Sequence, residues 1–145
     1  MTSYKQIVQI FEDAANAHKG VNTFAHGTID QLDASAVNVK YAYVFLRPIQ
    51  SLGIVDNTRT LNFELYCLDV PTLATQSPVD IMSVMEQTTY DMLSYINRGN
   101  YQQELGVEMT SLIPVNEAFQ DRAYGWVTNI SVFEIGLFDY CRFPS

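Results

Sequence analysis

Positive charge, cysteine and long apolar runs are all scarce in this chain, and each shortage removes a class of function. Eight Lys and Arg stand against sixteen Asp and Glu in 145 residues, a formal net charge of −8. The basic residues occur singly, at Lys5, Lys19, Lys40, Arg47, Arg59, Arg98, Arg122 and Arg142. Tight binding to a DNA or RNA backbone needs clustered cations that displace counterions, so a nucleic-acid reader is disfavoured. The only cysteines, Cys67 and Cys141, lie far apart with no CxxC spacing. They read as reduced, buried thiols, with one disulfide as the alternative. No apolar run approaches the length of a membrane span. The opening MTSYKQIVQIF lacks the basic start and continuous apolar stretch of a signal peptide, so folding in a cytoplasm is expected.

Catalytic signatures are missing as well. Zinc sites need three or four ligands at close spacing, and His18 and His26 are the only histidines. The glycines are isolated, which leaves no phosphate cradle, and no Ser, Thr or Cys sits in a nucleophile elbow. Glu12 with Asp13, and Glu86 with Asp91, fall on helical segments and read as wet faces rather than paired acid–base carboxylates. Arg47 and Arg59 frame the 48–58 connection. They read as partners for carboxylates, at home or on another subunit, in preference to an anion site. No catalytic, metal or cofactor residue is therefore assigned, and no enzymatic activity is expected.

What the chain does have is apolar and aromatic mass. Hydrophobic residues make up 48% and charged residues 17%, which marks a folded domain; at 145 residues one domain is expected. Nine Tyr, eight Phe and one Trp suit either a Tyr-rich core or a surface covered by a partner, because interface centres favour aromatics.

Ser3 with Gln6 forms a capping-box pattern, and Tyr4, Ile7, Val8, Phe11, Ala14, Ala15 and His18 repeat at helical spacing before Gly20. A first helix over about 4–18 follows. Weak alternation broken by Gly27 suggests a short strand or hairpin near 22–32. Val39 to Ile49 reads as a central strand, with Val39, Tyr41, Tyr43 and Phe45 on one face and Ala42, Val44 and Leu46 on the other. Arg47-Pro48 ends its regular pairing. Residues 51–59 read as a loop or hairpin with Gly53 and Asp56-Asn57 as turn formers. Thr60 to Val70 is the next strand, with Leu61, Phe63, Leu65 and Cys67 inward. Ser77-Pro78 starts a second helix over about 78–97, carried by Ile81, Met82, Met85, Thr89, Met92, Leu93 and Ile96. Tyr90 and Tyr95 lie on its other faces and offer a second side to a partner. Strands follow at about 105–113, ending at Pro114, and at about 124–136. Phe119 and Asp121 lie in the turn between them. The pattern is an α+β domain, an antiparallel or mixed sheet of four to six strands with two main helices packed on it.

The segments FEDAANAHKGVNTFAHG, YAYVFLRP, TRTLNFELYCLDV and LIPVNEAFQDRAYGWVTNISV span nearly the whole chain. In this order they resemble the small neck and tail-completion proteins of tailed bacteriophages. The resemblance implies a virion structural protein assembled in the host bacterial cytoplasm, such as a tail terminator or head–tail joining protein. It implies a homo-oligomeric ring, a hexamer or else a dodecamer, that meets other neck or tail proteins. DNA would pass nearby without specific binding, eased by the acidic charge, and no membrane is involved. On this reading the expected interface residues are Arg47, Ile54, Val55, Asp56 and Arg59 in a projecting loop over 49–59. Leu137, Phe138, Tyr140 and Phe143 are expected in a 137–145 segment that either closes its own core or serves as an arm against a neighbour. The alternative is a small α+β ligand-binding module or enzyme with a pocket between the sheet and helix two.

Overall fold

The computed structural model describes residues 3–28, 40–50, 52–71, 77–98, 105–118 and 122–135. Helix α1 spans Tyr4–Ala17, and strands β1 to β4 span Thr23–His26, Tyr43–Pro48, Leu52–Val55 and Thr58–Asp69. Helix α2 spans Pro78–Arg98, and β5 and β6 span Leu105–Ala118 and Ala123–Ile135. The strands form one mixed sheet in the order β1-β2-β4-β6-β5, with β3 also pairing with β4. Among the described residues only β1 and β2 run parallel; the other pairs are antiparallel. Both helices pack on one face of the sheet, so the α+β architecture read from the sequence is the one observed.

Local chemistry sets the helix starts. The Ser3 hydroxyl accepts from the Gln6 amide at 3.1 Å, and the Gln6 side chain accepts from the Ser3 amide at 2.8 Å, closing the capping box. The helix ends at Ala17, one residue earlier than expected, because His18 turns to an extended conformation as the C-cap. At α2 the Ser77 hydroxyl accepts from the Asp80 amide at 3.2 Å, while Asp80 accepts from the Ser77 amide at 3.3 Å. Asp80 also places negative charge in the first turn, where the helix dipole favours it.

Two clamps then fix α2 across the sheet. The Trp126 indole N–H donates to the Met82 carbonyl at 2.8 Å near the helix start. Near its end, the Asn97 amide donates to the Val107 carbonyl at 3.1 Å and accepts from the Val107 amide at 3.4 Å. Along the same helix, Ile81, Met85, Met92 and Ile96 join Val44, Leu46, Phe63, Leu65, Ile130 and Val132 in the core, with Ile7 and Phe11 of α1. Cys67 is buried in this layer as a free thiol, and burial pushes it up to about 11.

Strands β2 and β4 carry the expected faces: Ala42, Val44 and Leu46 with Phe63, Leu65 and Cys67 toward the helices, and Tyr43 and Phe45 away from them. Strand β2 has neighbours on both sides, as its two apolar faces required, but its regular span is Tyr43–Pro48 rather than Val39–Ile49. Val39 lies outside the described residues. The ending at Pro114 is overturned. Strand β5 runs on to Ala118, with Pro114 opposite Trp126, and ends the sheet order next to β6. Proline lacks only the N–H, and an outermost strand does not need that donor on its open side.

Candidate functional site

β2 and β3 run in the same direction along one edge of β4 and form a single long arm of a hairpin, interrupted after Pro48. Asn62 holds the interruption. Its amide donates to the Gln50 carbonyl at 2.9 Å, and its oxygen accepts from the Ser131 hydroxyl of β6 at 2.8 Å. Asp56 and Asn57, at φ 52° and 59°, form the tip, as left-handed turn residues of the Asx type do readily. Of the expected loop residues, Ile54 and Val55 therefore lie in strand β3, and Asp56 is the exposed tip. The tip lies just past the Thr58↔Ile135 pair.

Both arginines that frame this hairpin pair within the chain. Arg47 donates to Glu64 on the face turned away from the helices, and this contact raises the Arg47 pKa. Arg59 approaches Glu134 at 3.9 Å, where the Glu134 side chain is only 2% exposed. Leu137, Phe138, Tyr140 and Phe143 lie outside the described residues, as do Phe119, Asp121 and Cys141.

The outer sheet face divides into an aromatic end and a polar belt. Tyr41, Tyr43, Phe45 and Tyr66 form consecutive edge-to-face ring pairs with centroids 6.1 to 6.4 Å apart. Burial pushes the Tyr66 hydroxyl pKa upward, with the Glu64 charge adding to the effect. Val127 and Ile113 continue this end in register, and Ile113 is 47% exposed. Next comes a row of cross-strand polar contacts, Arg47 to Glu64 and Asn129 to Ser111, the latter at 2.7 Å. Beyond it the Phe133 ring lies over Gly106, so close that a Cβ there would sit 2.3 Å from the ring.

On the helix side, a groove of about 360 Å³ opens between the end of α1 and the C-terminal half of α2. Ala14, Ala17, Met92 and Tyr95 line it, and His18, Lys19 and Asp91 supply its polar groups. His18 Nδ1 accepts from the Gly20 amide at 3.0 Å, which leaves Nε2 to carry the proton and donate to Asp91 at 3.0 Å. Gln87 donates to the other Asp91 oxygen at 2.8 Å, and Gln87 and His18 together hold this carboxyl below its usual range. His26, at the end of β1, meets the Tyr4 hydroxyl at 2.8 Å, and partial burial lowers its pKa. The two histidines thus have separate partners. Among the described residues no three His, Cys, Asp or Glu side chains converge as metal ligands do.

Sequence reasoning missed the His18–Asp91 link and the bridging role of Asn62. The first joins positions 73 apart, and no local pattern pairs them. The second had a faint signal, a polar residue on the outward face of a strand whose neighbours are apolar. Compared with known proteins, the chain matches no family, and no curated protein matches it either.

Proposed function

We propose that this chain is a non-enzymatic virion protein, a ring-forming subunit of a phage neck or tail terminus that caps the tail tube and joins it to the head connector. The observation that supports it most is the placing of exposed apolar side chains on two opposite sides. Val79, Val84, Tyr90 and Tyr95 are exposed on α2, while Ile113 and Phe133 are exposed on the outer sheet face. A closed ring is built from heterologous contacts, in which one patch of each subunit meets a different patch of the next. Aromatic residues and Arg are the types that interface centres favour. The charge of −8 per subunit, repeated around a ring, suits a channel through which DNA slides without sticking.

A ligand-binding module is the second reading, favoured by the groove that the linked His18 and Asp91 help to line. This groove lies between the helices rather than between the sheet and helix two. Negative-stain images of the purified chain separate the two readings. Rings with a central hole are expected, and a field of single small particles that take up a small molecule would overturn the ring.

A further inference from the structure

We propose that the groove between α1 and α2 is the seat for residues 137–143 of a second copy of this chain, an inference that rests on the ring assembly proposed above. The groove has the volume of a small binding site, about 360 Å³, and it is built to accept side chains. On α1 it offers only the methyl groups of Ala14 and Ala17, so the helix surface is low there. On α2 it is walled by Tyr95, which is 54% exposed and has open apolar surface. Val84, Asp91 and Tyr95 follow one stripe of α2, at spacings of seven and four residues, so the exposed Val84 stands in line with the groove beyond the Asp91 carboxylate.

Charge names the occupant. The groove carries one cation and one anion, Lys19 and Asp91. Asp91 already accepts from His18 and Gln87, but a carboxylate has about four acceptor positions and can take a further donor. The segment Leu137-Phe138-Asp139-Tyr140-Cys141-Arg142-Phe143 carries one acid and one base among four large apolar residues. Arg142 complements Asp91, Asp139 complements Lys19, and Phe138 and Tyr140 match the Ala17–Tyr95 trough. Such a contact is heterologous, segment to groove, and propagates around a ring as that symmetry requires.

Cys141 makes the contact testable in the whole 145-residue chain. Wild-type chain is mixed with a population carrying Ala17→Cys and Cys141→Ser, and the mixture is oxidised mildly while light scattering reports the assembly state. A disulfide forms only where the two Cα atoms come within about 7 Å. The expected result is a disulfide joining position 17 of one population to Cys141 of the other, mapped by mass spectrometry. Lys19→Glu should lower its yield by roughly two- to five-fold, the range an exposed ion pair is worth, and Asp139→Lys in the partner should restore it. Rings without this disulfide would overturn the seat while leaving the ring. A monomer in which Ala17→Cys alone bonds to its own Cys141 would overturn the second copy as the occupant. Absence of both ring and disulfide would overturn the ring reading itself.

Discussion

Replacing Gly125 by Ala tests how closely β4 and β6 approach at the centre of the sheet. A Cβ at this position would fall 1.9 Å from the Cys67 carbonyl oxygen and 3.1 Å from the Leu68 Cα. These are backbone atoms of β4, which is hydrogen-bonded to β2 on one side and to β6 on the other. No side chain can swing away to relieve the clash. Ordinary contact near 3.5 Å would require the strands to part by about 1.5 Å. That opening strains the Leu68↔Gly125 pair and its neighbours. Overpacking costs about 1–3 kcal/mol, and each weakened ladder bond adds about 1 kcal/mol, so the expected loss is about 3–5 kcal/mol. A typical domain has about 5–15 kcal/mol in total, so the variant should remain folded but poorly stable. Trp126, the only tryptophan, is the neighbouring residue and reports unfolding by fluorescence in urea. The midpoint should fall by about 2 M at unchanged slope, and the melting temperature by roughly 6–20 °C. A loss under about 0.5 kcal/mol would refute the reasoning, because it would mean that β4 and β6 part freely at this point.

Three further outcomes follow from the ion pairs and the hairpin. Arg59→Met removes the cation beside the buried Glu134 carboxylate and should cost about 3 kcal/mol in urea unfolding, the lower end for buried pairs because Arg59 keeps some solvent contact. The double variant with Glu134→Leu should recover most of that loss. Asn62→Ala deletes the bonds to Gln50 and Ser131 and should cost about 2 kcal/mol, with hydrogen exchange speeding up in residues 52–60 before the rest of the sheet. Asp91 has a folded pKa held below its ordinary value, so its contribution to stability is present above about pH 4 and fades as pH falls through the lower folded value. Asp91→Asn should therefore flatten the loss of stability as pH falls below the ordinary carboxylate range. An unchanged acid limb would show that the links from His18 and Gln87 do not stabilise the charged form.

Elements whose cause is local were legible in the sequence, and those whose cause is distant were not. The capping pair Ser3 and Gln6, the Ser77-Pro78 start, and the alternating faces of β4 and of β2 from Tyr41 to Leu46 each depend on residues within a few positions, and each appears in the structure as read. Pro114 misled because its local meaning, a strand end, changes on an outermost strand. The parallel pairing of β1 with β2 depends on a crossover, which no short motif records. The carboxylate partners of Arg47 and Arg59 were readable as a type but not as residues, since Glu64 and Glu134 become neighbours only through strand register. The His18–Asp91 link is the extreme case, set by how two helices cross on a sheet.

Light scattering behind size-exclusion chromatography, run over a wide range of concentrations on the 145-residue chain, tests the central claim most directly. The ring account predicts a particle of six or twelve copies of the 16.4 kDa chain. A single 16.4 kDa species at every concentration would contradict it.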